Sequence, residues 1–229
     1  MRILAIDTAT ENCSAALLFE GQLLQREQLL ERGHAEAILP MVDELLAVTQ
    51  LRLNTLSAIA FGRGPGAFTG VRLAASVTQG LAFGAAVPVV PVSDLQAVAQ
   101  RALDTHVAAE GVLVCADARM HEVYWGCFER SPEGLARPSG PEHVTAPSGV
   151  RLPRIWVGRG PLLGAGSGFA AYPELHAGLS LDAVLEGLMP RAAEVALLAV
   201  PEVAAGRFLA AEQALPVYLR DDVARTRPG

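Results

Sequence analysis

The chain is 229 residues long, 51% hydrophobic and only 18% charged, with a formal net charge of -6. That is enough apolar material for one large domain or two small packed ones, and it excludes wholesale disorder. The acidic balance argues against independent nucleic-acid binding, which draws much of its affinity from a basic face; the arginines, Arg101, Arg119, Arg137, Arg151, Arg154 and Arg159 among them, never form a run of three.

The low charge fraction also leaves little polar material for the surface, which points to a covered interface. Cys13, Cys115 and Cys127 sit in apolar surroundings without a CxxC pair. That is the pattern of reduced core thiols in a cytosolic protein. The opening apolar run breaks at Asp7, too early for a signal peptide. No stretch reads as a membrane span; the nearest, 77–92, carries Gln79 and Pro88.

In chain order, Arg2–Asp7 reads as a buried strand, 13–21 as a second and 22–30 as a third. A tight Glu20-Gly21 turn joins the last two, so the sheet starts antiparallel. The period then changes. Ile38, Val42, Leu45 and Thr49 recur three or four apart, which predicts an amphipathic helix over 34–50. Pro40 bends it or marks its first turn. A strand at 56–62 leads into a glycine-rich loop and a helix over 69–85. "VPVVPV" (87–92) is a short strand. Ser93 followed by Gln96 is a capping box, opening a helix that closes a first unit near Thr105.

The beginning then recurs. "GVLVCADARMHEVYWGCFERSPEG" (111–134) repeats strand, aspartate-centred turn, strand and glycine turn, with Asp117 in the place of Asp7. This predicts a βββαβα unit over 1–105 and a degenerate second copy over 106–229, whose C-terminal segment returns to the first. Residues 131–154 read as turns with one short strand, and 155–160 as a strand. The stretch from Pro190 reads as a helix, and the polar end as frayed.

"FGRGPGAFTGVRLAASVTQGLAFG" (61–84) is the most informative stretch. Gly64 and Gly70 bracket five residues where a Walker A loop has four, and Val71 stands where its lysine belongs. A dinucleotide fingerprint fails as well. Three readings stay open. The loop is a structural turn, or a helix N-terminus that takes an anion. Alternatively, the small residues Gly70, Ala74, Ala75, Ala82 and Gly84 let another helix approach closely. On that last reading Phe68 and Arg72 anchor the interface, and a charge at Ala75 blocks it.

Catalytic groups are sparse. His34, His106, His121, His143 and His176 share no ligand spacing, and His34 has only Glu36 near it. No Ser-His-Asp, HExxH or nucleophile-elbow pattern is present. Asp7 and Asp117 each end a strand and enter a turn. With Thr8 and Thr10 they are candidates for holding the phosphates of a magnesium nucleotide across a cleft. The turn "DTAT" (7–10) lacks the glycine such a grip wants.

Four blocks then carry a resemblance: "ILAIDTATENCSAALL" (3–18), "HAEAILP" (34–40), "GRGPGAFTGVRLA" (62–74) and "DARMHEVYW" (117–125), with "PVYLR" (216–220) near the end. Together they resemble the TsaB, or YeaZ, family, a bacterial subunit of the machinery that makes threonylcarbamoyladenosine in tRNA. The resemblance implies the two-lobed α/β fold of actin, heat-shock-protein 70 and sugar kinases (ASKHA), with the second lobe reduced. It implies a cytoplasmic, non-catalytic subunit. Its TsaD-like partner transfers threonylcarbamoyl to N6 of adenosine 37, in tRNAs reading codons that begin with A. That partner carries a metal-binding histidine pair. Here only His34 stands in the comparable region, and Ile38 occupies the second place. The docking surface implied for this sequence comprises His34, Ile38, Met41, Val42, Leu45, Phe68, Gly70, Val71, Arg72, Ala74, Ala75 and Thr78. A TsaE-like ATPase, tRNA bound through the complex, and a homodimer in the absence of partners are also implied. ATP and magnesium belong to the complex, with none held tightly by this chain. The alternatives are an active small ATPase or kinase of the same fold, and a peptidase.

Overall fold

The computed structural model describes residues 1–220, and the end of the chain expected to fray lies outside them. β1 (Arg2–Asp7), β2 (Asn12–Phe19) and β3 (Gln22–Leu29) form an antiparallel meander. Glu20 and Gly21 both take left-handed backbone, φ 51° and 78°. Two such residues give the hairpin turn whose twist matches the strands. α1 (His34–Thr49) then crosses to β4 (Ala58–Gly62), and α2 (Phe68–Ala85) crosses to β5 (Val89–Val92). Both strands add in parallel, giving the order β3-β2-β1-β4-β5.

After α3 (Asp94–Thr105) the plan repeats. β6 (Gly111–Asp117), β7 (Val123–Arg130) and β8 (Ala136–Pro138) are antiparallel neighbours. β9 (His143–Thr145) pairs with β7. β10 (Leu162–Ala165) and β11 (Ala183–Leu185) add in parallel on the far side of β6. Read from β8, this sheet has the same strand order as the first. The duplicated order is that of the actin, heat-shock-protein 70 and sugar-kinase fold. The second copy is reduced: between β10 and β11 it has only α4 (Ser167–Ala171) and α5 (Glu174–Gly178), five residues each. α6 (Ala192–Ala204) ends it.

The helix expected to close the first unit does not pack there. α3 lies on β6, β7 and β8, whereas α6 lies on β1, β2, β4 and β5, and the two helices pack on each other. Leu95, Val98 and Ala102 of α3 therefore share one core with Val195, Ala196 and Ala199 of α6 and with both sheets. Alanine on both helices allows this close crossing. Ser93 caps α3 by accepting from the amide of Gln96 at 3.2 Å. The Gln96 side chain does not close the box. It donates instead to the carbonyl of Ala136 at 2.7 Å, tying α3 to the second sheet.

One further difference has a local cause. Residues 155–160 form no strand, because Arg154–Trp156 is a 3₁₀ turn and Gly158 (φ 75°) breaks extension. Trp156 is buried, and its indole N–H donates to Glu129 at 2.7 Å. A buried indole donor needs such a partner. The C-terminal segment runs back along the first sheet: Leu209 bridges Val89, and the amide of Val217 donates to the Arg63 carbonyl at 2.7 Å. Among the described residues, no helix is long and apolar enough to cross a membrane.

Candidate docking face and a closed aspartate turn

Three of the loop glycines are required by the chain itself. A Cβ on Gly66 would lie 2.6 Å from the Ala9 carbonyl oxygen. One on Gly70 would stand on the carbonyl oxygen of Thr8, and one on Gly62 would collide with Asp7 and Asp94. The glycines thus admit the β1–β2 turn against the start of α2. Thr8 Oγ1 donates to the Gly70 carbonyl at 2.7 Å, and the amide of Ala67 donates to the Ala9 carbonyl at 2.8 Å. An oxygen of the protein already sits at the helix start, where a phosphate would otherwise bind.

The four residues expected to grip a nucleotide are taken up by bonds within the chain. Asp7 and Thr8 are buried, and Asp7 Oδ1 accepts from the Ala9 amide at 3.0 Å. Thr10 is half-buried; its hydroxyl accepts from the Asn12 amide at 3.2 Å, and its carbonyl meets His34 Nε2 at 2.9 Å. Asp117 pairs with Arg119 at 3.0 Å and accepts from the Tyr172 hydroxyl, also at 3.0 Å. Burial, followed by this bond, raises the Tyr172 phenol above its ordinary range. The turn 7–10 therefore does not fit a nucleotide phosphate. Among the described residues, no three His, Cys, Asp or Glu side chains are grouped to hold a metal.

The turn after β6 has an unusual backbone. Arg119, Met120 and His121 take φ of 60°, 56° and 61° in succession, without a glycine. Each such residue costs on the order of 1 kcal/mol. Arg220 braces this turn by donating to the Ala118 carbonyl at 3.2 Å and to the Glu122 carboxylate. Tyr218 and Val217 hold the other end of the same short segment on the first copy, at Arg72 and Arg63. "PVYLR" is thus a strap between the glycine loop and α2 of the first copy and the Asp117 turn of the second. Arg220→Ala is expected to lower stability by about 1–2 kcal/mol, the value of a charged hydrogen bond at a half-exposed site. Amide exchange over 117–122 should rise with it, and unchanged protection there would remove the bracing role.

α1 and α2 cover the outer face of the first sheet. The expected docking residues mostly point the wrong way. Ile38, Met41, Val42, Leu45, Val71, Ala74, Ala75 and Thr78 are buried, and Ile38, Met41, Val42, Leu45, Ala74 and Ala75 share one core with Leu4, Ile6, Leu17, Ile59 and Phe61. The 3.6-residue stripe that makes each helix amphipathic faces its own sheet. A charge at Ala75 would disrupt this core rather than block a partner. Gly70 lies against the turn, and His34 is half-buried on Thr10. Phe68 and Arg72 are exposed, with the guanidinium 3.6 Å over the ring and its Nε donating to the Tyr218 hydroxyl at 2.6 Å.

The outward face carries large apolar groups beside small ones. Leu39 and Val48 of α1 and Phe68 and Phe83 of α2 are exposed, Phe83 by 77%. Between the two phenylalanines lie Gly80 and, just after Phe83, Gly84, both exposed. A Cβ at either position would meet nothing within 4 Å. A glycine inside a helix costs about 1 kcal/mol relative to alanine. At Gly70 the chain's own backbone explains that cost; at Gly80 and Gly84 nothing among the described residues does.

A family model described as "TsaD: tRNA N6-adenosine threonylcarbamoyltransferase" matches residues 28–153. The Escherichia coli K12 "tRNA threonylcarbamoyladenosine biosynthesis protein TsaB" is 42% identical over 226 residues, covering 98% of this chain and 96% of its own length. The chain belongs to the TsaB family. The Haemophilus influenzae TsaB is 54% identical over 125 residues, 55% of this chain and 52% of that protein. The structure of YeaZ from Pseudomonas aeruginosa superimposes with a TM-score of 0.87 at 45% identity, over 95% of this chain and 99% of that one. A second Pseudomonas aeruginosa structure, described as similar to peptidase YeaZ, gives 0.90 at 46% identity, over 96% and 99%.

In this TsaB-family chain Ile38 is fully buried in the core under α1. A histidine there would point into the sheet, four residues from a His34 already bonded to Thr10. The cysteines do not offer a nucleophile either. Burial raises the Cys13 thiol to about 11 and the Cys127 thiol to about 12, and raises Cys115 further. A thiol so raised stays protonated and unreactive at neutral pH.

Proposed function

We propose that this chain is the non-catalytic subunit of tRNA threonylcarbamoyladenosine synthesis and docks a TsaD-like catalytic subunit on the outward face of α1 and α2. The observation that carries the docking face is the pair of exposed helix-interior glycines, Gly80 and Gly84, set beside exposed Phe83. Glycine lets a partner helix approach backbone to backbone, and neighbouring apolar side chains supply the buried area. A standard interface needs about 800 Å² from each partner. On this reading the catalytic subunit holds the reacting groups and this chain orients it. A TsaE-like ATPase joins near the junction, ATP and magnesium belong to the assembly, and tRNA is bound through it. The same apolar face pairs with a second copy when partners are absent.

The test is complementation. In bacteria depleted of their own TsaB, expression of this chain with its cognate TsaD-like subunit is expected to restore threonylcarbamoyladenosine in tRNA, read by mass spectrometry of nucleosides. Full modification in cells holding the catalytic subunit alone would overturn the supporting role. ATP hydrolysis by the isolated chain, abolished by Asp7→Ala, would favour the kinase or ATPase reading instead.

A further inference from the structure

Asp7 ends β1 and Asp94 opens α3, and both are buried, at 0% and 2% exposure. Their outer bonds are complete. Asp7 Oδ1 accepts from the Ala9 amide, and Asp94 Oδ2 accepts from the Gly64 amide. The Asp94 amide in turn donates to the Gly64 carbonyl at 3.1 Å, so the 62–66 loop is fastened to α3 through one residue. That leaves Asp7 Oδ2 and Asp94 Oδ1, each buried without a partner among the described residues. Both border one small space beside Gly62, where an added Cβ would lie 2.5 Å from Asp7 Oδ2 and against Asp94 Oδ1.

Ionised carboxylates only accept hydrogen bonds, so two such oxygens cannot satisfy each other unless a proton lies between them. Two charges side by side in a dry site would add repulsion to the loss of hydration. We propose that Asp7 and Asp94 share a single proton, the Asp94 Oδ1 hydroxyl donating to Asp7 Oδ2, and that this proton locks the 62–66 loop onto the first turn of α3. Among the described residues, four other ionisable groups lie around the pair or its loop. Arg63 of the loop is committed to Glu142 at 3.1 Å, and Glu142 also takes the Ser93 hydroxyl. His34 of α1 is held on Thr10. Cys13 of β2 is protonated, raised by its burial and by the charge on Asp7.

Burial first and the charge of Asp7 second raise the Asp94 carboxyl well above the usual carboxylate range. Burial raises Asp7 as well, opposed by its bonds to Asp94 and Ala9. The sign of the pH dependence follows. The folded chain keeps a proton on Asp94 that the unfolded chain releases near pH 4. This contribution to stability is complete below that pH. It falls as pH rises, until the folded pair itself ionises.

Thermal and urea unfolding of the full chain from pH 5 to 9, beside Asp94→Asn, tests the proposal. Asparagine keeps an N–H for Asp7 and an oxygen for Gly64 but binds no extra proton. The folding equilibrium constant of the wild type is expected to fall about tenfold per pH unit relative to the variant, until the folded pair titrates. Parallel curves across this range would overturn the shared proton. So would stabilisation of the wild type, but not the variant, by millimolar magnesium or calcium, which would assign the two oxygens to a cation. If Asp94→Asn does not fold, infrared spectra of the wild type with isotope-labelled aspartate decide. They should show the carbonyl stretch of a protonated acid at neutral pH, and its absence overturns the proposal.

Discussion

Gly80→Arg is expected to leave the isolated chain at least as stable as the wild type and to weaken binding of a TsaD-like subunit by about 100-fold or more. Arginine is a better helix former than glycine by about 0.8 kcal/mol. The position is exposed with open space around its Cβ, so nothing among the described residues resists the change. A partner helix lying against Gly80 would meet a long charged side chain in the middle of an apolar contact. Losses of about 2–4 kcal/mol are usual for disturbing the centre of an interface, and 100-fold corresponds to about 2.7 kcal/mol. Calorimetric titration gives the affinity, and urea unfolding of the free chain gives the stability. Wild-type affinity in a well-folded Gly80→Arg chain would remove this face from consideration. Gly80→Ala is the milder control, gaining about 1 kcal/mol in the free chain while keeping the approach nearly open.

The sequence made the first copy readable because its signals are periodic and local. Short apolar runs broken by Asp7 and by the Glu20-Gly21 turn mark β1 to β3, the 3.6-residue stripe marks α1, and Ser93 marks the start of α3. The reduced outer part of the second copy gave no such signal, since three-residue strands and five-residue helices are too short to show a period.

The candidate site shows a different limit. The small residues on α2 were visible, but the same stripe that identifies a helix also says which side is core. Ile38, Val42 and Leu45 are the inward side by that logic, and Ala74, Ala75 and Ala82 fill the corresponding place on α2. The outward glycines could be separated from the inward ones only by knowing what stands opposite each. Asp94 was missed for a related reason. An acidic residue just after a serine cap is ordinary in a first helical turn. Nothing local says that Asp7, eighty-seven positions away in the chain, turns its own carboxylate to the same spot.

Gly70→Ala carries the largest expected change in stability, a loss of about 3 kcal/mol. The added Cβ would stand on the Thr8 carbonyl oxygen, a backbone atom between β1 and β2 that has no rotamer to escape into. Relief requires α2 to lift from the turn. That weakens two bonds, from Thr8 Oγ1 to the Gly70 carbonyl and from the Ala67 amide to the Ala9 carbonyl. Overpacking costs about 1–3 kcal/mol and each hydrogen bond about 1 kcal/mol, against a helix-propensity gain of at most about 1 kcal/mol. Gly84→Ala makes the same chemical change fourteen positions later on the same helix, where the Cβ meets nothing. It should gain up to about 1 kcal/mol. Urea midpoints of the two variants, taken at equal m-values, therefore move in opposite directions. If Gly70→Ala were as stable as the wild type, the space beneath the turn would be real, and a phosphate could enter there. The opposite signs would mean that one end of α2 owes its glycine to the protein's own backbone and the other to a surface outside it.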